Sequence, residues 1–337
     1  MYNFQGLIDK VYKETRHINT GKRAHYIPQL AKVDPRIFGI SICTVGGDVY
    51  NVGDYKKKVA IESISKLFTL AAVTAKHGTK YVAKRIGSHG SWAPFNSVTA
   101  ANRSHTHTIN PFLNQGAMAT TSLLYQKNQK KYKKFLLDNM STYAASPLKV
   151  GKSVYHSESA TNSHNMSLAY LLKSFDRFYG PVIPSVDAYT YQCSVMVNSM
   201  DLAKMASVFA NQGVQPITKK KLLTKKETQY ILNILQPEGL YQYSDRWMAL
   251  TGGGAYAKSG VGGGILIVIP GICGIGIVSP RLDRVGNSKR GIAAGIKLSR
   301  ALSKIGVRVG FFTRRVCKTN KNKTKKKKTK TRKRKYR

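Results

Sequence analysis

The chain has 337 residues, with 56 Lys+Arg against 15 Asp+Glu, a formal charge of +41. At 42% hydrophobic it can bury the core of one or two domains, which excludes a wholly disordered, collagenous or coiled-coil chain. Four scattered cysteines (Cys43, Cys193, Cys273 and Cys317), none in a CxxC pair, exclude a disulfide scaffold and a zinc ribbon; a reduced, intracellular setting is expected.

Residues 1–18 carry charges where the apolar centre of a secretory signal would lie, so no signal peptide is expected. Phe38–Val45 and Asp48–Val52 alternate around Gly46-Gly47 and predict a hairpin. Ser63 to Val73 has a helical pattern that ends near Gly78. Tyr155–Phe175 contains another helix, with Leu168, Leu171, Leu172 and Phe175 at helical spacing. Asp201 to Gly213 predicts a helix with Asp201 as N-cap and Gly213 just past its end. Ser259–Pro280 is uncharged and long enough to span a membrane, but its glycines and the Pro270-Gly271 turn predict two buried strands, Ile265–Ile269 and Ile275–Val278. A last helix is expected around Ile292–Lys304. Strands at both ends with helices between predict a mixed α/β (α+β) fold whose terminal segments share one sheet.

Two elements carry chemistry. Ser63-Ile-Ser-Lys66 fits S-x-x-K, which on a helix sets the lysine and serine one turn apart on one face. A serine at a helix start lies in the positive end of the dipole, and a neighbouring lysine can take or relay its proton. Lys258-Ser259-Gly260 is a K-[ST]-G element; on an edge strand it could flank the serine and supply an oxyanion N–H. The glycines Gly262-Gly-Gly264 fit close backbone approach better than a nucleotide site. His105-Thr-His107 is half a zinc site at most, because no third and fourth ligand accompany it.

The chain resembles the serine-dependent glutaminase family, which has the β-lactamase/transpeptidase-like fold: an antiparallel sheet with a helical subdomain. The segments that carry the match run in family order over roughly residues 20–305. They include Ala24-His-Tyr26-Ile-Pro-Gln-Leu30, Glu62-Ser63-Ile-Ser-Lys66, Phe95-Asn-Ser97, Asn110-Pro-Phe-Leu-Asn114-Gln-Gly-Ala117 and Ser157-Glu158. Asn165, Tyr189 with Gln192-Cys-Ser194, Gly239-Leu-Tyr241 and Ala257-Lys-Ser-Gly-Val-Gly-Gly-Gly264 follow. The resemblance implies hydrolysis of L-glutamine through an acyl-enzyme on Ser63, with no metal or organic cofactor. It implies that Lys66 and Tyr26 move the serine proton, that Tyr241 positions or protonates the reacting amide, and that the N–H groups of Ser63 and Val261 form the oxyanion hole. Asn114, Glu158, Asn165 and Tyr189 would hold the α-amino and α-carboxylate ends, with Glu158 the ammonium anchor. A homo-oligomer, dimer or tetramer, is implied as well. Departures from the family pattern fall at His89-Gly-Ser-Trp92 and at His164. A related β-lactamase-like hydrolase is disfavoured, because no S-D-N element is found.

The charge is uneven. Residues 314–337 hold 15 Lys/Arg and no acid, which leaves 41 basic and 15 acidic residues, +26, on residues 1–313. The simplest division is a catalytic domain, 1–312, and a disordered polybasic tail, 313–337. The tail fits non-specific contact with nucleic acid or another polyanion, and it resembles the tails of proteins packed in large DNA viruses. An intracellular location, cytoplasmic or nuclear, or one within a virus particle is expected, with no membrane span. A basic nucleic-acid-binding or packaging protein reusing the fold without catalysis is the alternative reading.

Overall fold

The computed structural model describes residues 2–91, 94–102 and 106–308. Helix α1 (Phe4–Thr15) is followed by the hairpin β1 (Gly39–Thr44) and β2 (Val49–Gly53), then by the short β3 (Val59–Ala60). A helical region comes next: α2 (Ser65–His77), α3 (Thr79–Ile86), α4 (Val98–Asn102), α5 (Asn114–Ser122) and α6 (Gln129–Ala144). Strand β4 (Lys149–Val150) leads to α7 (Lys152–Ala160), α8 (Ser163–Ser174) and α9 (Val182–Cys193). Then come β5 (Val195–Val197), α10 (Ser199–Ala210), α11 (Lys225–Glu238) and α12 (Ser244–Thr251). The chain closes with β6 (Tyr256–Gly260), β7 (Gly264–Ile269), β8 (Cys273–Val278) and α13 (Lys289–Arg308).

The main sheet has the order β2-β1-β8-β7-β6, antiparallel throughout. Its N-terminal hairpin therefore pairs with its C-terminal strands, Ile40 against Ile277, as the element order predicts. One face carries Ile40, Ile42, Ile265, Ile267, Ile275 and Ile277 onto α1, α12 and α13. The other face sends Leu266, Val268 and Val278 into the core of the helical region. Strands buried on both faces read as unbroken apolar text, which is why Ser259–Pro280 looks long enough to span a membrane. No described helix is long and apolar enough to do so.

Helix α10 lies directly on β8. A Cβ on Gly276 would stand 2.0 Å from the Ser199 carbonyl oxygen, and one on Gly274 would stand 2.2 Å from the Ser207 nitrogen. Helix α2 runs through the middle of the helical region and is buried all round; Leu67, Phe68, Leu70, Ala71 and Val73 have no exposed surface. A helix apolar on every side is a core helix, so whatever stands at its start is fixed by packing.

One local expectation is met and extended, and another changes. Tyr155–Phe175 contains the expected helix, α8, and before it the end of α7, which stops at Ala160, where Thr161 returns its hydroxyl to the Ser157 carbonyl at 3.1 Å. The cap of α10 is Asn198, not Asp201. Asp201 is the third residue of the helix and completes a capping box: Asn198 Oδ1 accepts from its N–H at 2.8 Å, and its carboxylate accepts the Asn198 N–H at 3.1 Å.

Candidate active site

Ser63 stands at the junction of β3 and α2, in a 3₁₀ turn (Glu62–Ile64) that runs straight into the buried helix. The preceding residue, Glu62, has φ +50°, a left-handed conformation that a side chain rarely adopts. The glycine loop after β6 presses on this turn. A Cβ on Gly262 would meet the Ala60 carbonyl oxygen at 2.1 Å, and one on Gly260 would meet the Ile61 carbonyl oxygen at 2.4 Å. Only glycine permits that approach, and it brings Val261 onto the wall of the cavity that Ser63 lines. The K-S-G strand, β6, is at the edge of the sheet as expected.

Lys66 is one turn further along and 1% exposed. Its ammonium donates to Phe112 O at 3.0 Å and to Asn114 Oδ1 at 2.6 Å. Burial pushes its pKa down to about 8, partly offset by Cys193, Glu62 and Glu158. Asn114 opens α5. Asn110 fixes that start by accepting the N–H groups of Phe112 and Leu113 on Oδ1. Asn114 Nδ2 donates to Asn165 Oδ1 at 3.0 Å, and the Tyr189 hydroxyl reaches Asn114 Oδ1 at 3.4 Å. Lys66, Asn114, Asn165 and Tyr189 thus form one network across α2, α5, α8 and α9.

Glu158 is 7% exposed on α7 and receives the Ser194 hydroxyl at 3.4 Å. Burial raises its pKa to about 8, against the Ser194 hydrogen bond and the Lys66 charge. Glu62, 3% exposed, is also raised, first by burial and then by Glu158. Glu62, Glu158 and Cys193 present donor atoms within 4.8 Å of one another. That is the one group of metal-ligand type found among the described residues. His107 Nδ1 is engaged with Thr108 O at 2.5 Å, and His105 lies outside the described residues.

Tyr26 stands at the mouth. The residue is 52% exposed, while burial of its phenol and the nearby Glu62, Tyr241 and Glu158 raise its pKa. Its segment is tied down by the Gln29 N–H, which donates to Ser157 Oγ at 3.2 Å, and by pairing of Lys22 with Leu282. Tyr241 also has a left-handed backbone, φ +57°, and a buried hydroxyl that makes no hydrogen bond of good geometry. Burial raises its pKa to about 12, moderated by Ser63 and Ser259. Lys258 lies over its ring at 4.5 Å and donates to Gly239 O and Ser259 O, at 3.0 and 2.9 Å. The lysine of the K-S-G element therefore braces Tyr241, a role its sequence does not announce. Strained backbone at two buried positions beside one serine is the pattern expected of a functional site.

Seven of the nine expected residues, Tyr26, Ser63, Asn114, Glu158, Asn165, Tyr189 and Val261, line a single cavity of about 130 Å³. That is well below the roughly 300 Å³ at which drug-sized pockets begin, so it suits a small polar molecule. Lys66 and Tyr241 are buried beside Ser63. Sequence reasoning assigned no role to Glu62, Cys193, Phe95, Thr161 or His164, which line the same cavity. For Glu62 a signal existed, an acid inside the apolar run Val59–Ile64. His164 holds the Asn96 carbonyl at 2.7 Å. At the other departure, the Glu238 carboxylate receives both the N–H and the hydroxyl of Ser91, while Trp92 lies outside the described residues.

Comparison with known proteins finds relatives over most of the chain. The model of the glutaminase family matches residues 21–305. A glutaminase of Colwellia psychrerythraea is 44% identical over 286 residues, covering 85% of this chain and 91% of that protein. The solved structure of a probable glutaminase, ybaS, superposes with a TM-score of 0.86 at 37% identity, covering 89% of this chain and 96% of that one. Mglu in its glutamate form superposes with a TM-score of 0.83 at 34% identity, covering 90% of this chain and 70% of that one.

Proposed function

The chain belongs to the glutaminase family, with its β-lactamase-like fold, and from that premise we propose that it hydrolyses L-glutamine to L-glutamate and ammonia through an acyl-enzyme on Ser63. The observation that carries this reading is the small cavity in which Ser63 meets a buried acid and three polar side chains, with a largely desolvated lysine one turn away.

Ser63 Oγ attacks the side-chain carboxamide carbon. Its proton passes to neutral Lys66, which burial makes accessible near pH 8, with Tyr26 as the shuttle at the mouth. The N–H groups of Ser63 and Val261 receive the oxyanion, and Tyr241 guides a proton to the leaving nitrogen. Ammonia departs, water attacks the acyl-enzyme, and glutamate leaves. Glu158 neutralises the α-ammonium, while Asn114, Asn165 and Tyr189 donate to the α-carboxylate. No step needs a metal or an organic cofactor.

The test is ammonia release from L-glutamine, L-asparagine and a chromogenic β-lactam by wild type and Ser63→Ala. The expected result is turnover of glutamine alone, lowered by about a thousandfold or more in the variant. Turnover of the β-lactam instead would favour the related hydrolase, and no turnover at all would overturn the enzyme reading.

We also propose the division into a catalytic unit, 1–312, and a polybasic tail, 313–337, that contacts nucleic acid or another polyanion. The tail lies outside the described residues. Its charge density supports the reading, and it is compatible with catalysis in the body. Homo-oligomerisation is proposed as well: Tyr170, Phe175 and Ile183 are large exposed apolar side chains of the kind a second copy covers, and light scattering tests it. Intracellular residence is supported by the free thiols of Cys43, Cys193 and Cys273.

A further inference from the structure

The proposed chemistry leaves out a second buried acid. Glu62 immediately precedes Ser63, is 3% exposed, and brings a carboxylate oxygen within 4.8 Å of that of Glu158. Its Oε1 is buried without a hydrogen-bond partner. The glycine loop walls it in: a Cβ on Gly260 would lie 3.2 Å from Glu62 Cβ, and one on Gly262 would lie 3.4 Å from its Cγ. Two carboxyls this close, both out of water, do not both ionise.

Geometry decides which one keeps the proton. Glu158 accepts a hydrogen bond from Ser194 and, in the reading above, faces the substrate ammonium. Glu62 Oε1 has no donor, so no hydrogen bond at that oxygen favours its ionised form, and the Lys66 charge alone works against burial. The groups that face the pair come from every neighbouring element: Lys66 on α2, Cys193 and Tyr189 on α9, Tyr26 from the N-terminal segment and Tyr241 after α11. Only Lys66 among them is a cation, and it is engaged with Phe112 O and Asn114 Oδ1 rather than with a carboxylate.

We propose that Glu62 and Glu158 share a single proton in the working site, that the proton rests on Glu62, and that its loss shuts the reaction down on the alkaline side. With the proton in place, the bound α-ammonium and ionised Glu158 cancel. Ser63 can then pass its proton to Lys66 with no anion opposing the oxyanion. Once Glu62 ionises, its charge opposes the negative charge forming beside it and holds Lys66, buried in the same site, as an ammonium. Glu62 is thus a positioning residue, acting through Ser63 and Lys66.

This proposal rests on the glutaminase reading, and the experiment separates the two. The pH dependence of kcat with glutamine is measured for wild type and Glu62→Gln, the permanently neutral isostere. The infrared band of a protonated carboxylic acid is followed in both. The expected result is activity within about threefold of wild type at neutral pH, loss of the alkaline limb in the variant, and loss of the neutral-pH infrared band. An alkaline limb that persists in Glu62→Gln overturns the proposal. So does a rising limb displaced downward by about a unit, which would mean that Glu62 is ionised in the working enzyme. If the variant does not fold, the wild-type spectrum decides. A carboxylic acid band that disappears in step with activity at alkaline pH supports the proposal, and its absence at neutral pH overturns it. Should wild type turn over no glutamine, the functional reading fails, and the band still reports on the proton.

Discussion

The Glu62–Glu158 pair links the site to stability. Burial favours a protonated Glu62 in the folded chain and raises its pKa well above the ordinary 4.5. The stability this proton contributes is present below pH 4.5 and is lost as pH rises above it, because the unfolded chain ionises first. Glu62→Gln removes that loss. The melting temperature of that variant, relative to wild type, is therefore expected to climb by several °C between pH 5 and pH 8, since each unit of pKa is worth about 1.4 kcal/mol. Glu158→Gln is expected to raise KM for glutamine by about 30-fold or more, the effect of leaving the substrate ammonium without its anion. A melting difference that stays flat with pH would mean that Glu62 is already ionised in the folded site. Ser63 and Lys66 stand out in the sequence through their S-x-x-K spacing, and Glu158 through the resemblance to glutaminases. Glu62 was not assigned a role, because a lone acid in a sequence does not disclose that it is walled in by glycines from 200 residues further on.

Elements were legible to the extent that their information is local. The strands β7 and β8 and the hairpin β1–β2 follow from apolar runs cut by Gly and Pro, and their observed bounds differ from the expected ones by two residues at most. The leucine spacing reveals α8 alone, since Leu168, Leu171, Leu172 and Phe175 all lie past the break from α7, where Thr161 and Asn162 turn the chain and line the cavity. The cap of α10 was missed because Asp201 is itself a good capping residue, and only tertiary placement shows Asn198 taking that role. Contact between α10 and β8 cannot be read locally at all. It makes a sharp expectation, because Gly276→Ala must push a methyl group against the Ser199 carbonyl oxygen, 2.0 Å from the ideal Cβ. The helix has to lift off the sheet, at a cost of about 1–3 kcal/mol, which thermal melting would register as a drop of several °C. Asn198→Ala, which removes only a cap, is expected to lower stability by about 1 kcal/mol. If Gly276→Ala proves the milder of the two, α10 does not lie against the strand as described.

Charge is the property of the whole molecule that the catalytic reading does not use. Turnover of a zwitterion requires neither +26 on the body nor 15 further basic residues in the last 24. Truncation after Thr313 leaves every described element intact, since α13 ends at Arg308. Glutamine turnover is therefore expected to survive that deletion within about twofold. Affinity for duplex DNA should not survive it. A segment that places six to eight of its cations on phosphates releases about as many counterions, so log K should fall with log salt with a slope near −6 in the full chain. The truncated chain should show a slope of about −2 or shallower, set by scattered lysines on a rigid surface. Titrations from 50 to 300 mM NaCl distinguish the cases, because the slope counts phosphate contacts even where absolute affinities differ. A full slope that persists after truncation would move the polyanion site from the tail to the body. The basic groove at the cavity mouth, with Lys22, Arg23, Arg284 and Lys289, would then be the first surface to mutate.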